Sequence, residues 1–187
     1  MRIIILTEED VLEEKNTTSV GMRQLELAKR WSIDHNVTVA TTYGRIVKKK
    51  KGNINLQGGV QTLDFISGYY DVVVIELSTS LSSIAYRYVT SSIDLPTIVD
   101  SYYAILFEKL VSLSHEVVQG NVLAEKLHVM SSILNHGDHF IVTTEKQRDY
   151  IMGFISCLGK FHVDSFSKEI VSVIPNTLDV SFSKKET

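Results

Sequence analysis

Ile3 to Leu6 is apolar at every position, and Asp71 to Glu76 carries four consecutive apolar residues between two acids. Runs of that length without alternation suit strands buried on both faces of a parallel sheet. Val37–Thr41, Val60–Leu63, Pro96–Asp100 and His139–Val142 read as further strands, several rich in β-branched residues. Between them the apolar spacing changes to three and four. Leu27, Ala28 and Trp31 predict one helix, and Leu81, Ile84, Ala85 and Tyr88 a crossover helix. Leu123, Leu127, Met130 and Leu134 form the stripe of a third, and Tyr150, Ile151, Phe154, Ile155 and Leu158 a fourth. Strands alternating with helices at these lengths predict an α/β fold, a doubly wound, mostly parallel sheet with helices on both faces.

The polar positions punctuate this pattern. Thr144 and Gln147 have the spacing of a capping box at the start of the fourth helix, and Gly159 is placed to stop it. A strand feeding so tightly into a helix turns backbone N–H groups outward, which suits an anion. Lys146 and Arg148 lie in that first turn, where the helix dipole favours acids, with Glu145 and Asp149 partly offsetting them. Glu8 to Thr18 reads as a long polar loop. Lys48, Lys49, Lys50 and Lys51 read as a charged loop, either simply solvated or resting on an anionic membrane surface, where each lysine contributes about 1 kcal/mol.

A length of 187 residues with 44% hydrophobic content fits one domain with a sizeable core. The net charge of −3 argues against a general nucleic-acid binder. A single cysteine, Cys157, excludes a disulfide framework; its helical position beside Tyr150 and Phe154 predicts a buried side chain, and a reducing cytoplasm fits. The first ten residues pass from a brief apolar run to acids, unlike a signal peptide or membrane span. His136-Gly137-Asp138-His139 lacks a third ligand and is not read as a metal site.

Several stretches share a resemblance. Gly137-Asp138-His139-Phe140-Ile141-Val142-Thr143-Thr144-Glu145-Lys146-Gln147-Arg148-Asp149 followed by Gly153 is similar to a segment of family 4 glycosyltransferases with the GT-B fold, with Lys146 where Arg is commoner. Gly21-Met22-Arg23-Gln24-Leu25 through Thr41 resembles that family's first helix and second strand, Val20 standing where a first glycine is frequent. Ile98 to Glu108 resembles an acceptor-side segment with Asp100 and Glu108, and Val171 to Asp179 the segment joining the two domains, with Thr177 for the usual glycine.

The resemblance implies the N-terminal, acceptor-side, Rossmann-like domain of a sugar-nucleotide-dependent, retaining glycosyltransferase of the kind used in polysaccharide biosynthesis. It places the domain at residues 1–174 and the start of the interdomain linker at 175–187. It implies substrate contacts from Gly21, Arg23, Asp100, Tyr102, Glu108, Thr144, Glu145 and Arg148, with no catalytic residue, cofactor or metal in this chain. The partners implied are a donor-binding C-terminal domain, in the same or a separate chain, and a sugar or lipid-linked acceptor. Plain structural roles compete: a helix cap for Asp100, a solvated acid for Glu108 and an ordinary loop residue for Gly21. So do two other functions, a non-catalytic glycosyltransferase-like partner and a generic nucleotide-binding domain, the latter without its glycine fingerprint. Strand C-terminal ends gather the loops of such a sheet, so Gly21, Arg23, Asp100, Glu145 and Arg148 are expected to line one concavity near Pro175, with Glu8–Thr18 among the least ordered parts.

Overall fold

The computed structural model describes residues 1–13, 17–102, 120–160 and 169–176. The strands are β1 (Arg2–Thr7), β2 (Asn36–Thr41), β3 (Val47–Lys51), β4 (Ile54–Gly58), β5 (Val72–Glu76), β6 (Thr97–Ser101), β7 (His139–Val142) and β8 (Val171–Val173). Four helices are described: α1 (Ser19–Trp31), α2 (Ile84–Val89), α3 (Gly120–His136) and α4 (Glu145–Cys157). The strands form one sheet in the order β3-β4-β2-β1-β5-β6-β7-β8, parallel except for β3. Without β3, the order departs from β1 in both directions, as in a Rossmann-like doubly wound sheet.

Period-two alternation divides the core between the two faces. Ile3, Ile5, Val37, Val39 and Val74 pack with Leu25 and Ala28 of α1. Ile4, Leu6, Val73, Ile75 and Val99 pack on the other face with α2, with Met130 and Ile133 of α3, and with Ile151 and Ile155 of α4. Both faces are covered over β1 and β5, which is why those strands read as unbroken apolar runs.

Several expectations are corrected. Lys48–Lys51 is not a loop but most of β3, antiparallel to β4 at the sheet edge, where exposed lysines keep an open edge soluble. Val60–Leu63 forms no strand; Val60 and Leu63 are buried, yet they join the core from an irregular connection. Leu81 lies ahead of α2 and is exposed, because Ser83 caps the helix by accepting from the Tyr86 N–H at 3.1 Å. Cys157 is exposed: it stands about 120° around α4 from buried Ile151, on the side of Tyr150. The loop after β1 is not wholly polar or loosely held in its described part. Val11 is buried among α1 and its strands, and Thr41 donates to the Glu9 carbonyl at 2.7 Å. Residues 14–16 of that loop lie outside the described residues.

Candidate functional site

The parallel strands end along one edge, and β1 and β5 diverge there because their following helices go to opposite faces. Such a switch point opens a crevice. Here it measures about 220 Å³ and lies between Thr7, Glu8 and Glu9 after β1 and Glu76 to Ser80 after β5, with Ser83 and Ile84 at its inner end. Among the described residues no lysine, arginine or histidine lines it. Its acids are held in place: Glu8 accepts from the Ile84 N–H at 3.2 Å, and Glu9 accepts from the Thr18 hydroxyl, which itself caps α1.

Glu76 is the unusual member. Burial, and then the Glu9, Asp100 and Glu8 carboxylates, push its pKa up to about 8, with the Gln24 amide opposing. At neutral pH it is therefore a carboxylic acid, able to donate as well as accept. The buried Gln24 places its amide nitrogen 3.5 Å from Glu76 Oε2 and leaves its own oxygen without a partner.

Beside the crevice, Arg23 from α1 reaches over the end of β6. Its Nε donates to both oxygens of Asp100, at 3.1 and 3.0 Å, and Nη1 donates to the Ile174 carbonyl and Asn176 Oδ1, each at 2.9 Å. Both charges are buried, and the guanidinium lies 5.8 Å from the Tyr102 ring centroid. Burial raises the Asp100 pKa and Arg23 opposes that rise. Arg23 and Tyr102 also line a groove of about 620 Å³ along α1, with Ile174, Pro175 and Asn176.

The turn into α4 forms as its sequence predicts, and its capping box occupies the Thr143, Thr144 and Gln147 N–H groups. Thr144 Oγ1 accepts from the Gln147 N–H at 3.2 Å, and Gln147 Oε1 accepts from the Thr143 and Thr144 N–H groups at 2.8 and 3.1 Å. Gln147 Nε2 donates to the Tyr102 carbonyl at 3.0 Å, tying this turn to the end of β6. The capping box thus takes up part of the donor set expected to face an anion and leaves the Glu145 and Lys146 N–H groups at the helix start. No protein-family model matches the chain, and neither does any curated protein sequence.

The residues singled out in the sequence divide into three groups. Arg23, Asp100, Tyr102 and Thr144 are joined by contacts along the sheet edge. Gly21 lies nearby, but the space above its Cα holds Thr17 and Glu9 of the same chain, at 2.8 and 3.1 Å from where a Cβ would stand, so it admits its own loop rather than a ligand. Glu145 and Arg148 pair with each other at 2.6 Å on the half-exposed start of α4. Because α4 packs on the face opposite α1, they do not share the concavity of Arg23, contrary to expectation. Glu108 lies outside the described residues. Sequence reasoning missed Glu8, Glu9, Gln24 and Glu76. An acid closing the apolar run of β5, as Asp100 closes β6, was the available signal for Glu76. Among the described residues no three His, Cys, Asp or Glu side chains group to hold a metal ion, and no helix is long and apolar enough to cross a membrane.

Proposed function

We propose that the chain is the acceptor-side, N-terminal half of a sugar-nucleotide-dependent glycosyltransferase of the GT-B type, and that the crevice between β1 and β5 receives a neutral, hydroxyl-rich acceptor. The lining of the crevice carries this reading. Among the described residues eight of its side chains, Thr7, Glu8, Glu9, Glu76, Ser78, Thr79, Ser80 and Ser83, bear oxygen, and none is a cation. Such a surface pairs well with sugar hydroxyls and poorly with phosphate. The hydroxyls of Thr7, Ser78, Thr79, Ser80 and Ser83 can both donate and accept, and Glu76, as a neutral acid, adds a further donor. The donor's diphosphate then belongs on a second domain facing this edge.

Saturation-transfer NMR with neutral oligosaccharides tests the acceptor half of the reading. Transfer to a sugar is expected, lost in Glu76→Ala and retained in Glu76→Gln, with no competition from inorganic phosphate. A nucleoside diphosphate displacing the sugar from this crevice overturns it. The 187-residue chain alone is expected to turn over no nucleotide sugar; turnover above a heat-killed control refutes the division between two domains. The filling of the space over Gly21 by Thr17 and Glu9 favours a second reading, a non-catalytic partner of such an enzyme, which predicts sugar binding without transfer in any assembly containing the chain.

A further inference from the structure

The edge strand β3 is placed to accept another strand. Gly52 has φ +59° and Asn53 lacks a positive φ, so a two-residue turn joins β3 to β4 and makes Lys51 and Ile54 the closing hydrogen-bonded pair. Alternation along the register then gives the Lys49–Leu56 and Val47–Gly58 pairs the remaining ladder bonds. The backbone N–H and C=O groups of Lys48 and Lys50 consequently face away from β4, on the side where the sheet has no further strand among the described residues.

The side chains repeat the same order. Lys48 and Lys50 stand opposite Gln57 and Asn55, on the face away from Ile54 and Leu56, which pack toward α1. A groove of about 600 Å³ runs over that face, walled by Phe65, Tyr69 and Tyr70. Lys48, Lys49 and Lys50 are exposed and form no ion pair among the described residues, in a chain whose net charge is −3. Lys48 and Lys50 lie about 7 Å apart along the strand, the spacing of alternate side chains in any added strand.

The geometry points to β3 as a docking edge for an extended acidic segment of another protein, which adds as a ninth strand and sets alternate Asp or Glu side chains against Lys48 and Lys50. Main-chain bonds to the outward groups of Lys48 and Lys50 supply affinity, and the charges supply selectivity. A second copy of the same edge is repelled by its own lysines, so the device that prevents self-pairing also selects the partner. A flat membrane or a nucleic acid uses the charges but not the backbone groups, and this difference makes the assignment testable.

The probe is a decapeptide of alternating Glu and Thr, followed by fluorescence anisotropy and by amide exchange at Lys48 and Lys50. Binding is expected, with both amides protected and a fall of at least tenfold in affinity for Lys48→Gln/Lys50→Gln, whose fold is checked by circular dichroism. The same peptide with its alternate amides N-methylated keeps every charge and should also bind at least tenfold more weakly. Equal binding of the methylated and unmethylated peptides reduces β3 to a charge patch and overturns the proposal. So does binding to phosphatidylserine vesicles or oligo-dT with no binding of the peptide.

Discussion

Replacing Glu76 by glutamine should remove a pH-dependent load on stability. The carboxyl titrates near pH 8 in the fold against an ordinary value of 4.5. Between those values the folded state holds a proton that the unfolded chain has released, so raising the pH favours unfolding. Stability attributable to this group is complete below about pH 4.5 and is lost as pH rises through 8. At about 1.4 kcal/mol for each pH unit, the loss is about 3 kcal/mol by pH 7 and at most about 5 kcal/mol above pH 8. Glutamine imitates the neutral acid and does not titrate, so Glu76→Gln should lie within about 1 kcal/mol of the parent at pH 5 and exceed it by several kcal/mol at pH 9. Urea unfolding at half-unit intervals from pH 5 to 9 gives the difference curve directly. A flat curve refutes the assignment, as does one whose change is complete below pH 5.5, because either result means Glu76 ionises like a solvated carboxylate.

Asp100→Ala should cost about 3–5 kcal/mol, since it strands the buried Arg23 charge. The volume-matched pair Arg23→Met/Asp100→Leu should recover much of that in the same urea assay; a single-mutant cost under 1 kcal/mol means the pair is solvated. Gly59→Ala should destabilise by more than about 1 kcal/mol, because φ is +65° and the new Cβ would come within 2.6 Å of the Ile46 nitrogen; thermal melts unchanged within error contradict this. Arg148→Ala removes only half-exposed pairs to Glu145 and Asp149 and should change stability by less than about 1 kcal/mol.

Most of the fold was legible because burial on two faces writes itself into the chain as unbroken apolar runs, as at Ile3–Leu6 and Val72–Ile75. The start of α4 was legible through local chemistry, since Thr144 and Gln147 satisfy each other without outside help. Elements whose form depends on a distant neighbour were not. Lys48–Lys51 is a strand only because β4 pairs with it, and its composition speaks of solvent rather than of a ladder. Val60–Leu63 shows the reverse, apolar residues buried in the core outside any strand. Arg23 and Asp100 were both picked out, but not their partnership, which spans 77 positions and depends on α1 lying over the end of β6. Glu76 was overlooked because its character comes from what surrounds it, namely its burial and the Glu9, Asp100 and Glu8 carboxylates.

The position of β1 bears on how the chain assembles during synthesis. It precedes the other described strands in the chain yet lies at the centre, pairing Ile3 with Val37 on one side and with Val72 on the other. About 70 residues must therefore follow Ile3 off the ribosome before the second edge of β1 can close, and until then a run of four aliphatic residues keeps unpaired amides and carbonyls along that edge. Parallel pairing across such separations is slow compared with hairpin closure. The nascent chain thus passes through a stage in which its most hydrophobic segment is also its least protected, and a holding chaperone acting before β5 emerges would have the largest effect on the yield of folded protein.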